Sequence, residues 1–316
     1  MPLPDFLIAG VPKAGTTALH AALQRHPGLF LSRVKEPKHF LTDGPPPAGG
    51  GPGDAETYRE HVWRRADYEA LFAEAPPGAP AGESTPFYLY DLAAQRRIRA
   101  AVPGVKLIIS LRDPVERAHS NWTHLWSAGL EPIGDFVRAC EAEPRRVAAG
   151  WGHFWHYVGL GRYGGQLAHL FGLFPRDQVL IFRYRDIVDR PAETLDRICA
   201  FLGVRQGLLT EVPRENVTAH PDPGLRHRVL SLVRRRLPTA LGAPIEGLLQ
   251  HRGAARRPLS WEQRQRLIPY FADDIGQLQR VTGADFSDWL RPKRRAGGLV
   301  GARPPGQRQS RNGQAR

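Results

Sequence analysis

Cysteine is scarce in this 316-residue chain: only Cys140 and Cys199 are present. That pair makes no metal-ligand spacing and no disulfide framework. One bridge between them remains open, although buried reduced thiols are the expected state. Long apolar runs are also missing. No stretch approaches the ~20 residues that a membrane helix needs. The N-terminus, Met1-Pro2-Leu3-Pro4-Asp5, has no basic region followed by an apolar one, so no secretory signal is expected. A cytoplasmic location fits these absences. Acidic residues are absent from the C-terminal end, where residues 291–316 carry eight Lys and Arg and no Asp or Glu. Net charge is +13, and removing those eight leaves +5 on residues 1–290. One or two anion pockets account for so mild an excess, and a polyanion-binding surface is not required.

Hydrophobic content of 41% and seven Trp suit a globular core, and 316 residues allow one large domain or two small ones. We expect a single domain over 1–291 and a basic, disordered tail over 292–316, where Gly, Arg and Pro dominate. Apolar strands alternate with helical patterns. Phe6 to Val11, Leu29 to Leu31, Lys106 to Leu111 and Gln178 to Phe182 read as strands. Asp67 to Ala75, Asp91 to Val102, Val115 to Ala128, Phe136 to Ala142, Tyr163 to Phe174, Pro191 to Leu202, Leu225 to Leu237 and Trp261 to Val281 read as helices. This alternation argues an α/β fold, a P-loop-like three-layer arrangement with a central parallel sheet flanked by helices. Residues 44–53, GPPPAGGGPG, read as a flexible loop, either a mobile lid or a plain surface loop. The aromatic cluster of Trp151, Phe154, Trp155 and Tyr157 reads as core by its spacing, with cleft lining as the alternative.

The segment Asp5 to Arg25, DFLIAGVPKAGTTALHAALQR, carries the first chemical signal. An apolar run turns at Pro12-Lys13-Ala14-Gly15 and continues with Ala18, Leu19, Ala22 and Leu23 at helical spacing. A strand, tight loop and helix of this kind aims backbone N–H groups and the positive helix end at one spot. Gly15 permits close anion approach, Thr16 and Thr17 add hydroxyls, and Lys13 adds a full charge. The Walker A spacing G-x-x-x-x-G-K-[ST] is not met, because Thr16 stands where the lysine belongs.

The second signal follows the strand KLIISL. Arg112-Asp113-Pro114 opens a helix, with Asp113 suited to its cap and Pro114 to its first turn. Arg117 and Ser120 lie further along it. Together, PKAGTT and LRDPVERAHS resemble the sulfotransferases that use 3′-phosphoadenosine 5′-phosphosulfate, in particular the bacterial and heparan-sulfate-type branch. GESTPFY, the block from Gly161 to Ile187 and PAETLDRICAFLGV resemble the same family, so the likeness covers roughly residues 5–204.

The resemblance implies that Lys13, Ala14, Gly15, Thr16 and Thr17 hold the 5′-phosphosulfate. It further implies that Arg112 and Ser120 hold the 3′-phosphate. It names Glu36, in the charged stretch VKEPKHF, as the general base that takes the acceptor proton, and no metal is implied. A solvated Glu36 paired with Lys35 or Lys38 is the plainer alternative. His39, whose ordinary pKa suits the task, is the rival base. A lysine that some relatives carry after the Glu of the central segment is Ser84 here, so Lys13 alone, or Lys38, must supply the charge. Arg214, Asn216 and Arg226 lie near the expected C-terminal donor loop without a clear match. The resemblance favours a hydroxyl of a glycan, glycolipid or small natural product as acceptor.

Two other classes remain open. A P-loop small-molecule kinase would need acidic metal ligands at a strand end, and none stands out. A nucleic-acid-binding protein would use the basic tail electrostatically. Deleting residues 292–316 separates them: we expect a sulfotransferase to keep its turnover, whereas loss of function on tail removal would favour the binder.

Overall fold

The computed structural model describes residues 3–47, 50–213 and 258–291. The expected helix over 225–237, Arg214, Asn216, Arg226 and the tail lie outside them. Five strands, β1 (Phe6–Gly10), β2 (Phe30–Leu31), β3 (Ala81–Ser84), β4 (Lys106–Leu111) and β5 (Val179–Arg183), pair in parallel in the order β2-β3-β1-β4-β5. Sheets of this type are covered on both faces, which is why FLIAG and KLIISL read as continuous apolar runs.

The helices in chain order are α1 (Thr16–Leu23), α2 (Asp54–Arg59), α3 (Arg65–Ala70), α4 (Leu92–Ala101), α5 (Pro114–Ser127) and α6 (Phe136–Glu141). They continue with α7 (Glu143–Ala148), α8 (Tyr163–Leu173), α9 (Tyr184–Asp189), α10 (Pro191–Leu202), α11 (Trp261–Leu267) and α12 (Ala272–Thr282). Strand side chains alternate between faces. Leu7, Ala9, Leu107 and Ile109 therefore join a core with Ile98 of α4, Trp122 of α5, Leu167 of α8 and Leu278 of α12. Phe6, Ile8 and Ile108 join a second core with Leu19 and Leu23 of α1 and with Leu195 and Ile198 of α10. These are the three layers expected from the sequence. Cys140 and Cys199 are free thiols, each buried.

The chain leaves β1 toward β2 on one side and later returns to β4 on the other. The carboxyl ends of β1 and β4 thus form the reversal point at which open α/β sheets bind ligands. The loop of Lys13 and the turn of Arg112 stand there.

The single helix expected over Trp261 to Val281 is two helices, α11 and α12, separated by a 3-10 turn at Ile268–Tyr270. Pro269 lies in that turn and lacks the N–H that a continuous helix would use. α11 fastens the C-terminal portion to the reversal point. Asp113 caps α5 by accepting the N–H groups of Val115 and Glu116, each at 3.1 Å. It also accepts a two-pronged bond from Arg264 of α11, at 3.0 and 2.6 Å. Both side chains are buried. Arg264→Ala leaves that carboxylate buried and unpaired, so we expect a loss of roughly 3–5 kcal/mol in unfolding free energy by denaturant titration. A loss below about 1 kcal/mol would contradict the role given to the pair.

Candidate active site

A cleft of about 610 Å³ opens over the carboxyl ends of β1, β3 and β4. Its closed end is built by the loop after β1. Ser110, near the carboxyl end of β4, is fully buried. It ties that loop down: its carbonyl accepts the Val11 N–H at 3.0 Å, and its hydroxyl donates to the Ala14 carbonyl at 2.8 Å. Gly15 holds φ of 80°, and a Cβ there would meet the Tyr184 ring at 2.9 Å. Only glycine satisfies both demands.

The two anion-binding signals meet at this point. Arg112 Nη1 donates to the Lys13 carbonyl at 2.9 Å. The Arg112 guanidinium lies 5.0 Å from the centre of the Tyr184 ring, so one aromatic side chain covers both the arginine and the glycine loop. Tyr184 is not singled out in the sequence, where RYRDI enters only as the end of the family-like block from Gly161 to Ile187. Lys13, Gly15, Thr16, Thr17, Arg112 and Ser120 all line the same cleft. Ala14 does not: its side chain is in the core, and its N–H donates to the Val11 carbonyl at 3.2 Å.

The opposite wall comes from the charged stretch after β2. Glu36 and Lys38 line the cleft, and Glu36 is paired with Lys35. The Lys38 ammonium is nearly buried and donates to Glu60 at 2.9 Å. His39 is left out of the cleft lining. Its ring stacks on Tyr68 at 4.1 Å, its Nδ1 bonds the Val62 carbonyl at 2.9 Å, and burial pushes its pKa down. That position corrects the placement expected of a rival base.

Backbone strain collects here. Among the described residues, the non-glycine residues with positive φ are Lys13 (69°), Glu36 (60°) and Lys38 (59°), and all three line the cleft. Such conformations persist only where surrounding contacts over-determine them. For the Glu36–Lys38 turn those contacts come from β3. The Glu36 N–H donates to the Ser84 carbonyl at 2.9 Å, and the Lys38 N–H donates to the Thr85 hydroxyl at 3.2 Å. Thr85 in turn donates to Glu83 at 2.9 Å, and the Tyr68 hydroxyl donates to the other Glu83 oxygen at 3.2 Å. Glu83 is fully buried, and burial pushes its pKa up to about 7 against the pull of these donors. A glutamate at the end of a buried strand was the available clue in GESTP. The Ser84 hydroxyl is engaged by His20 Nδ1 at 2.8 Å.

Along the cleft floor, Ser120, Thr123, His124 and Ser127 of α5 share one face at helical spacing. The aromatic cluster divides: Trp155 and Tyr157 are core, while Phe154 lines the cleft. The Gly-Pro loop ends on an anchor, because buried Asp54 accepts the Gly152 N–H at 2.7 Å and the Trp155 indole N–H at 2.9 Å. Among the described residues, no group of three or more His, Cys, Asp or Glu is arranged to hold a metal ion.

Comparison with known proteins agrees with this geometry. The profile of the sulfotransferase family matches residues 31–206. The chain belongs to the sulfotransferase family. That match begins after the Lys13 loop. Human heparan sulfate glucosamine 3-O-sulfotransferase 6 is 31% identical over 205 residues, covering 64% of this chain and 53% of that protein. Human bifunctional heparan sulfate N-deacetylase/N-sulfotransferase 3 is 28% identical over 303 residues, covering 92% of this chain and 31% of that protein. The chain thus spans about half the length, or less, of these curated relatives. The crystal structure of a sulfotransferase from Alicyclobacillus acidocaldarius superposes with a TM-score of 0.72 at 25% identity, over 92% of this chain and 100% of that one.

The strain at Glu36 can be measured apart from any activity. Both Glu36→Gly and Glu36→Ala lose the ion pair, but only alanine keeps a Cβ at positive φ. We expect the glycine variant to be more stable than the alanine variant by roughly 1 kcal/mol in denaturant unfolding. Equal stability would mean that the turn relaxes.

Proposed function

We propose that this family member transfers a sulfuryl group from 3′-phosphoadenosine 5′-phosphosulfate to a hydroxyl of a carbohydrate, glycolipid or small natural product. The observation that carries the reading is the meeting of the Lys13 loop and Arg112 on one cleft, joined by the bond from the Arg112 guanidinium to the Lys13 carbonyl. A single ligand with two phosphate-bearing positions is the natural match for two such anion sites. We also read residues 1–291 as one domain, since the Asp113–Arg264 pair links the C-terminal helices to the site.

The donor supplies the activated sulfuryl group, and the chain supplies grip, charge and a base. Lys13, Thr16, Thr17 and the N-terminal end of α1 hold the 5′ end, while Arg112 and Ser120 hold the 3′-phosphate. Lys13 stabilises the negative charge that builds on the departing phosphate side, where a cation is worth more in the transition state than before it. Glu36 takes the proton of the acceptor hydroxyl. It reaches the cleft from the strained turn that β3 holds in place, and its pairing with Lys35 fixes the side chain rather than removing it from the cleft. Lys38, on the same wall, is nearly buried against Glu60, so Lys13 is left as the cation of the reaction where some relatives carry a second lysine at the position of Ser84.

Four variants test the assignment. Lys13→Ala should lower turnover at least ~10²-fold in a fold that still melts cooperatively. Arg112→Ala should weaken binding of 3′-phosphoadenosine 5′-phosphate by ~1.5–3 kcal/mol in calorimetry. Glu36→Gln should abolish turnover while donor affinity is kept, whereas His39→Ala should leave turnover standing. The reverse pattern for the last two variants would move the base to His39.

A further inference from the structure

The cleft is electrically lopsided. Its phosphate end carries Lys13 and Arg112 at the ends of the two central strands. The far end is made of different material. Ser120 marks the change-over on α5, and Thr123, His124 and Ser127 continue the same helix face away from the phosphate end. At 1.5 Å per residue, the stretch from Ser120 to Ser127 extends about 10 Å. Facing it are two aromatic rings. Phe87 follows β3, Phe154 lies in the turn before α8, and they meet edge to face with centroids 5.7 Å apart. The His124 ring closes the group, 5.6 Å from Phe154 and also edge-on.

His124 is held neutral. Burial first, and the nearby Lys13 charge second, pull its pKa down to about 4. The cations that line the cleft are Lys13 and Arg112 at the phosphate end and Lys38 on the opposite wall, and the Lys38 ammonium is committed to Glu60. Among the described residues, then, the wall beyond Ser120 offers hydroxyls and ring faces rather than positive charge.

We propose that this end of the cleft binds an uncharged, ring-containing alcohol, a neutral sugar residue or its aryl glycoside, with a sugar or aryl face laid on Phe154 and Phe87 and its hydroxyls along Thr123 and Ser127. The inference rests on the sulfuryl-transfer reading above and narrows its acceptor. A polyanionic glycan would place charge against two aromatic rings and a neutral imidazole, and desolvating charge without a partner is strongly unfavourable. A sugar ring instead offers apolar C–H faces to the aromatics and satisfies hydroxyl donors in turn.

The test uses the full chain at saturating 3′-phosphoadenosine 5′-phosphosulfate, so that salt acts on the acceptor alone. Release of 3′-phosphoadenosine 5′-phosphate is followed with 4-nitrophenyl β-glucoside and, separately, with an N-sulfated heparosan oligosaccharide. We expect the neutral glycoside to be sulfated with a KM that changes less than about twofold between about 50 and about 500 mM NaCl, because an uncharged acceptor forms no ion pair for salt to screen. Phe154→Ala should raise that KM about tenfold while calorimetric affinity for 3′-phosphoadenosine 5′-phosphate stays constant. Ser127→Lys, which adds a charge on the helix face without touching the aromatic pair, should weaken the glycoside and improve the oligosaccharide. Preferential turnover of the oligosaccharide by the unmodified protein, with a KM rising steeply with salt, overturns the proposal even though the nucleotide binds. An unchanged glycoside KM in Phe154→Ala overturns it as well. Failure of 3′-phosphoadenosine 5′-phosphate to bind at all overturns the sulfuryl-transfer reading beneath it.

Discussion

The bond from the Arg112 guanidinium to the Lys13 carbonyl is the constraint on which the rest of the site depends. It joins the loops that leave β1 and β4, neighbours at the centre of a parallel sheet. A parallel sheet aims both loops at the same edge, and the reversal of strand order between these two strands opens a crevice there. Two groups with affinity for anions are thereby brought onto one surface. Ser110 below and Tyr184 above keep them there. Asp113 repeats the device on the other flank of the turn. By capping α5 and pairing with Arg264, it ties the orientation of the helix that carries Ser120 to the C-terminal helices.

The opposite wall is held by a different principle. Lys13, Glu36 and Lys38 all adopt backbone conformations that glycine would accept more easily. No glycine stands at these three positions, so each side chain enters the cleft at a cost in backbone strain. The conformations of Glu36 and Lys38 are imposed from β3 through Ser84 and Thr85, with the buried Glu83 beneath them bonded to Thr85 and Tyr68. This buried carboxyl group acts on the wall through its neighbours and does not line the cleft.

Much of this was legible in the sequence, for physical reasons that can be named. The strands β1 and β4 announce themselves because a sheet covered on both faces needs unbroken apolar runs. Asp113-Pro114 announces the start of α5, since a cap and a first-turn proline favour that position. The loop chemistry of Lys13 to Thr17 follows from the strand-loop-helix pattern, whereas its pairing with Arg112 is what the family resemblance implies. Other features depend on contacts between distant segments, which spacing does not encode. His39 sits three residues from Glu36 yet turns away to stack on Tyr68, because the positive φ at Glu36 and Lys38 redirects the chain between them. Ala14 lies inside the Lys13 loop yet spends its N–H on Val11. Tyr184 and Glu83 lie in segments that the family resemblance covers without giving either a contact, and only the sheet brings them to the site. The break between α11 and α12 was written in Pro269, but helical periodicity runs across it.

The central claim is that Lys13 and Arg112 grip opposite ends of one nucleotide. Calorimetry of 3′-phosphoadenosine 5′-phosphate against adenosine 5′-monophosphate, in the unmodified protein and in Arg112→Ala, tests it most directly. These ligands differ only in the 3′-phosphate. The account predicts that the unmodified protein prefers the doubly phosphorylated ligand by at least about tenfold and that most of this preference disappears in Arg112→Ala. If Arg112→Ala weakens both ligands equally, or neither ligand binds, the arginine does not read the 3′-phosphate and the account is contradicted.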